Sequence, residues 1–126
     1  MNPKTVTYSN FVDLLISRVP ELEPVAREHL EDNDELLPHL LVSDTLLFAE
    51  QAFAVEEFEV LGRLLSFLDE ALTNGDERIE DAVALSFVEN SEWWIPEKEG
   101  FLETWPAGLK AELELQRNWK PSSPPS

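Results

Sequence analysis

The sequence predicts an all-α fold, a single-domain bundle of about five or six helices organised on a central antiparallel helical hairpin. Three observations predict it. Apolar residues recur at spacings of three and four through most of the 126 residues, and no stretch alternates with period two for long enough to demand a strand. A turn signal, Thr73-Asn74-Gly75-Asp76, divides the longest such pattern, Phe58 to Glu92, into two arms.

The first arm sets Val60, Leu61, Leu64, Leu65, Phe67, Leu68, Ala71 and Leu72 on one stripe, with Glu59, Arg63, Ser66, Asp69, Glu70 and Thr73 between them. The second sets Ile79, Ala82, Val83, Ser86 and Phe87 opposite Glu77, Glu80 and Asp81 and runs to about Ser91. Gly75 is expected to end the first arm in the left-handed conformation, and Asp76 to cap the second. Two helices on so short a loop pack antiparallel.

Taken from the start, residues 1–6 read as frayed, and Thr7 or Ser9 can cap a first helix to about Val19, with Phe11, Leu14, Leu15 and Val19 inward. Pro20 stops it, and Pro24 suits the first turn of a short helix to about Asp32 with Val25, Ala26 and Leu30 inward. The acidic run Glu31-Asp32-Asn33-Asp34-Glu35 reads as a connector. From Leu36 to Ala54 the chain is at its most apolar, which predicts a central helix surrounded by the others; Ser43-Asp44 either breaks it or lies on its outer side. Beyond the hairpin, residues 92–106 carry two prolines and a glycine and read as a loop with large aromatic anchors. A last helix, from Pro106 or Ala107 to about Asn118, turns Leu109, Leu113 and either Leu115 or Trp119 inward, with Lys110 and Glu114 spaced to pair. The domain is thus expected over 1–119, with a Pro/Ser-rich disordered tail over 120–126.

The charge narrows the function. Against 26 acidic residues stand 9 Lys and Arg, a formal net charge of −17. Such a field repels nucleic acid and anionic lipid, so neither is an expected partner. The acidity serves either solubility or a basic partner. Cysteine is absent, which removes disulfides, thiol nucleophiles and Cys-based metal sites. No apolar run reaches the roughly 20 residues of a membrane span, and Met1-Asn2-Pro3-Lys4-Thr5 lacks a charged-then-apolar signal; a cytoplasmic protein is expected.

Catalytic sets are missing from the pattern. Carboxylate pairs are too common here to be informative, since acid/base work needs environments that drive two pKa values apart. His29 and His39 stand in no repeated His/Glu motif, and Gly62, Gly75, Gly100 and Gly108 are too scattered for a phosphate loop. Neither enzyme activity nor a cofactor or metal is expected. Trp93, Trp94, Phe101 and Trp105, set among acids, allow two readings: rings folded back over the hairpin's open end, or an apolar interface centre with an acidic rim.

Several segments resemble a family of small, acidic, all-helical bacterial proteins found beside polymorphic toxin genes and regarded as immunity proteins. They are Leu36-Leu37-Pro38-His39-Leu40-Leu41, the hairpin run Leu64-Leu65-Ser66-Phe67-Leu68-Asp69-Glu70-Ala71 with Asn74-Gly75-Asp76, then Ala84-Leu85-Ser86-Phe87-Val88-Glu89-Asn90 and Trp105-Pro106-Ala107-Gly108-Leu109-Lys110. The likeness spans roughly Leu36 to Leu115. It departs at Trp105-Pro106-Ala107-Gly108, where a Gly-Pro helix start would be expected. The resemblance implies a non-catalytic inhibitor that covers the active site of a basic toxin domain, acting as a monomer or weak homo-oligomer. The alternative is a helical adaptor or self-associating structural protein. The residues expected to bind the partner are Glu56, Glu57 and Glu59 where the hairpin begins, and Glu89, Glu92, Trp93, Trp94, Glu97 and Glu99 where it ends.

Overall fold

The structure, a computed structural model, describes residues 4–119. Its organiser is α4, Phe58–Asn74, which buries all eight apolar residues of the predicted stripe. Each such side chain contributes about 1.5–3 kcal/mol when fully buried, so packing far outweighs local helix propensity here. The helices before it are α1, Phe11–Arg18, α2, Glu23–Asn33, and α3, Pro38–Ala54; those after it are α5, Glu77–Val83, α6, Glu99–Glu103, and α7, Ala107–Trp119. The fold is all-α, as expected. Its seven α-helices among the described residues exceed the expected five or six because the 92–106 loop itself coils, into a 3-10 turn at Pro96–Lys98 and then α6.

The hinge departs from expectation in two ways. Gly75 is extended, at φ −87° and ψ 157°, not left-handed. Glycine is required for a different reason: a Cβ there would lie 2.1 Å from the Ala71 carbonyl oxygen. Nor is the chain before Thr7 frayed where it is described. The Thr5 and Val6 N–H groups donate to the Asn74 carbonyl at 3.0 and 3.3 Å, the Asp76 N–H donates to Val6 O at 2.9 Å, and Val6 is fully buried. This isolated parallel β-bridge straps the N-terminal segment across the turn. Asp76 caps α5 as expected, accepting the Ile79 N–H at 3.0 Å, and its second oxygen accepts the Tyr8 N–H at 2.8 Å.

Other boundaries move for local reasons. Phe11 opens α1 after a turn in which Thr7 and Asn10 exchange backbone-to-side-chain bonds, while Ser9 stays exposed. The acidic connector is helical as far as Asn33, and Asp34 then takes the left-handed conformation at φ 62° to end α2. The inward residue missed on α2 is His29, whose Nε2 accepts the Leu37 N–H at 3.0 Å and so ties α2 to the start of α3. Ser43 and Asp44 leave α3 unbroken, yet α3 is not surrounded: Leu40 and Leu47 are 51 % and 65 % exposed.

The second hairpin arm changes pitch. After α5 the backbone widens into a π-helical stretch, Ala84–Val88, and closes with a 3-10 turn, Glu89–Ser91. The buried Gln116 of α7 donates from Nε2 to the Ala84 carbonyl at 3.0 Å, supporting the widened turn. At its own start α7 is capped from another helix, since Asp69 Oδ1 accepts the Leu109 N–H at 2.8 Å. Gly108 makes that approach possible; a Cβ would sit 2.4 Å from the same oxygen. Leu109 and Leu113 are buried, but Leu115 is 63 % exposed, and Glu114 pairs with Arg117 at 3.1 Å where a Lys110 partner was expected. The expected tail, residues 120–126, and the side chain of Trp119 lie outside the described residues.

Candidate protein-binding surface

The start of the hairpin is shaped by how α3 ends. Its last carbonyls are satisfied by a Schellman turn in which the Glu56 N–H donates to Phe53 O at 3.1 Å and the Glu57 N–H to Ala52 O at 2.9 Å. The turn needs a left-handed residue, and Glu56 supplies it at φ 63° where glycine would be expected. The next helix begins at once, so Val55 and Phe58 are pushed outward, 59 % and 53 % exposed.

Glu56, Glu57, Phe58 and Glu59 share one open depression of about 730 Å³ with Glu21, Phe48 and Val60. Its acids are not equivalent. Arg63 forks onto Glu21 at 3.0 and 2.8 Å and reaches Glu59 at 3.2 Å, and its hydrogen bonds hold the Glu21 carboxyl below the usual carboxylate range. Glu56 and Glu57 have no ion-pair partner among the described residues. The apolar step at Val55 and Phe58 was not read from the sequence, because a Phe at a helix start looks like one more stripe residue.

Past the second arm, Glu92 is again left-handed, at φ 57°, and turns the chain out of the 3-10 turn. Trp93 and Trp94 then diverge. Trp93 packs against the core with Arg117 over its ring at 5.7 Å, while Trp94 meets it edge-on at 5.3 Å and is 58 % exposed. Trp105 is buried against Phe87 and Phe101. Both readings of the aromatic loop therefore hold, each for different rings. The indole N–H groups of Trp93 and Trp105 are buried without a hydrogen-bond partner among the described residues. Glu97 and Glu99 are exposed on the turns that follow, and Glu89 is half-buried.

Rings connect the two groups. Phe58 stacks on Phe53 at 6.1 Å, Phe53 on Phe101 at 5.7 Å and Phe101 on Trp105 at 5.8 Å. Lys98 adds an ion pair to Glu50 of α3 at 2.6 Å, and Gly100 lets Phe53 approach, a Cβ there meeting its ring at 3.3 Å. The coiled loop that carries Glu97 and Glu99 is thereby fastened to the end of α3, beside the Glu56 turn.

What the surface can do chemically follows from where its cations are. Arg18, Arg27, Arg63, Lys98 and Arg117 pair with carboxylates, and Arg78 lies over the Tyr8 ring at 3.9 Å. The acids left over face solvent, giving a field suited to a basic partner. Among the described residues no three His, Asp or Glu side chains converge as metal ligands do, and no helix is long and apolar enough to cross a membrane. His39 is occupied by Ser86, Nδ1 to Oγ at 2.9 Å.

A family model described as a domain of unknown function (DUF7674) matches residues 12–120, and the chain belongs to that family. No curated protein and no solved structure matches it.

Proposed function

We propose that this DUF7674 protein is a non-catalytic acidic binder, an immunity protein that neutralises a basic bacterial toxin domain in the cytoplasm by covering its active site. The observation that carries the reading is the exposed apolar step at Val55 and Phe58, set among carboxylates of which Glu56 and Glu57 are unpaired among the described residues. An apolar centre inside a charged rim is how protein interfaces concentrate affinity, and the rim governs the rate of encounter. Trp94 offers a second exposed anchor, with Glu92, Glu97 and Glu99 near it in the chain. The resemblance of the hairpin segments to toxin-neutralising proteins points the same way.

Co-expression with the toxin encoded by the adjacent gene tests the reading. Protection of the cells, with a complex that survives gel filtration, is expected. Killing at an unchanged rate with no complex would sink it. Charge reversal at Glu56 and Glu57 should slow association and flatten its salt dependence, whereas Phe58→Ala should speed dissociation. A stable homodimer burying the same step would instead favour a self-associating structural protein.

A further inference from the structure

The most apolar helix of the chain leaves part of itself uncovered. Leu40 and Leu47 lie seven residues apart on α3, hence on one face, and with Phe48 they line an open groove of about 570 Å³ between α2 and α3. Its rim is acidic on both sides, Glu28 and Asp32 from α2 and Asp44 from α3, and no Lys or Arg lines it. The cation of α2, Arg27, faces the other way and pairs with Glu23. The groove wall is fixed in place, because His29 holds the Leu37 N–H at 3.0 Å and the Asn33 amide in turn donates to the His29 carbonyl at 2.8 Å.

Phe48 belongs to two depressions. It lines the α2–α3 groove and also the one around Glu57 and Phe58, so a single trough follows α3 from Leu40 to the hairpin start. At 1.5 Å per residue, Leu40 to Val55 spans about 22 Å, the length of roughly four helical turns. We infer that this trough is a docking site for one basic amphipathic helix of a partner, its apolar face on Leu40, Leu47 and Phe48 and its Lys or Arg residues over Glu28, Asp32 and Asp44.

Competing occupants fit less well. Met1-Asn2-Pro3 and the terminal Lys-Pro-Ser-Ser-Pro-Pro-Ser bring no apolar stripe to cover the leucines. A second copy of a chain with net charge −17 brings repulsion to an already acidic rim. The inference rests on the reading of the protein as a binder of basic partners, but it does not require that partner to be a toxin.

The test is a titration of the isotopically labelled full chain, at physiological salt, with a four-turn Leu/Lys peptide whose leucines form one helical face. The control has the same composition with the leucines scattered. Amide shifts confined to α2, α3 and the Glu57 turn are expected, with the control at least about tenfold weaker. Leu47→Glu should weaken the patterned peptide by a similar factor, although it adds a negative charge that would strengthen attraction by charge alone. Leu115→Glu, equally exposed on α7, should not weaken it. Equal binding of the two peptides, or shifts spread over every acidic face, would overturn the groove while leaving the co-expression test of toxin neutralisation untouched. So would a homodimer by light scattering that Leu47→Glu dissociates.

Discussion

The two ends of the hairpin are built on opposite terms. At the closed end the chain satisfies nearly every polar group it turns: Asp76 caps α5 with one oxygen and holds Tyr8 with the other, while Val6 bridges the turn. Its one unusual backbone position, Gly75, is filled by the residue the geometry needs. At the open end glutamates occupy left-handed positions at 56 and 92, and large apolar side chains face water at Val55, Phe58 and Trp94. The closed end is optimised for stability, whereas the open end gives some up. Backbone strain and exposed rings together mark the part of a small fold shaped by something outside it.

That contrast can be broken by substitution. The largest effect is expected from Gly75→Ala, which drives a Cβ into the Ala71 carbonyl and should destabilise by about 3 kcal/mol, read from the urea midpoint. Asp76→Ala removes a helix cap and the acceptor of the Tyr8 N–H, together about 2 kcal/mol, with faster amide exchange at Tyr8 and Ile79. At the open end the sign should reverse. Glu56→Gly relieves a left-handed cost of about 1–2 kcal/mol against glycine's extra unfolded entropy of about 0.5–1 kcal/mol, so a gain of up to about 1 kcal/mol in the same assay is expected. If Glu56→Gly destabilises instead, the open end is not strained and the contrast fails.

The smallest effect concerns pH. Arg63's hydrogen bonds lower the Glu21 pKa below its ordinary 4.5, so this pair stabilises the fold above that value and ceases to do so as pH falls through the lower folded-state pKa. The stability difference between the native chain and Glu21→Gln should therefore be present at neutral pH and vanish in acid. A difference that persists unchanged in acid would assign it to packing.

The hairpin was legible because burial of a helix writes a 3.6-residue period, and every residue of the α4 stripe is inside. The strap at Thr5 and Val6 was not, since it is made by backbone groups, which leave no pattern in side-chain identity. His29 read as a surface or capping residue because nothing local shows that a backbone N–H eight residues later will need an acceptor. Of the candidate surface, the acids were visible and their inequality was not: Arg63 quiets Glu59 but leaves Glu56 and Glu57, a distinction set by where α1, α2 and α4 meet. The openness of Leu40 and Leu47 was hidden by the same all-round apolarity that suggested a central helix.

The π-helical stretch at Ala84–Val88 gives the exit its compass bearing. Such a stretch is an α-helix holding one surplus residue, and each residue of an α-helix advances the chain by about 100°. Deleting a single residue there would let the arm relax to regular pitch and swing all that follows by more than a quarter turn. Trp94 would then leave a different side of the molecule, and Gln116 would lose the Ala84 carbonyl it now holds. The direction in which the exposed indole points is thus a matter of counting, set by one residue more than the helix needs.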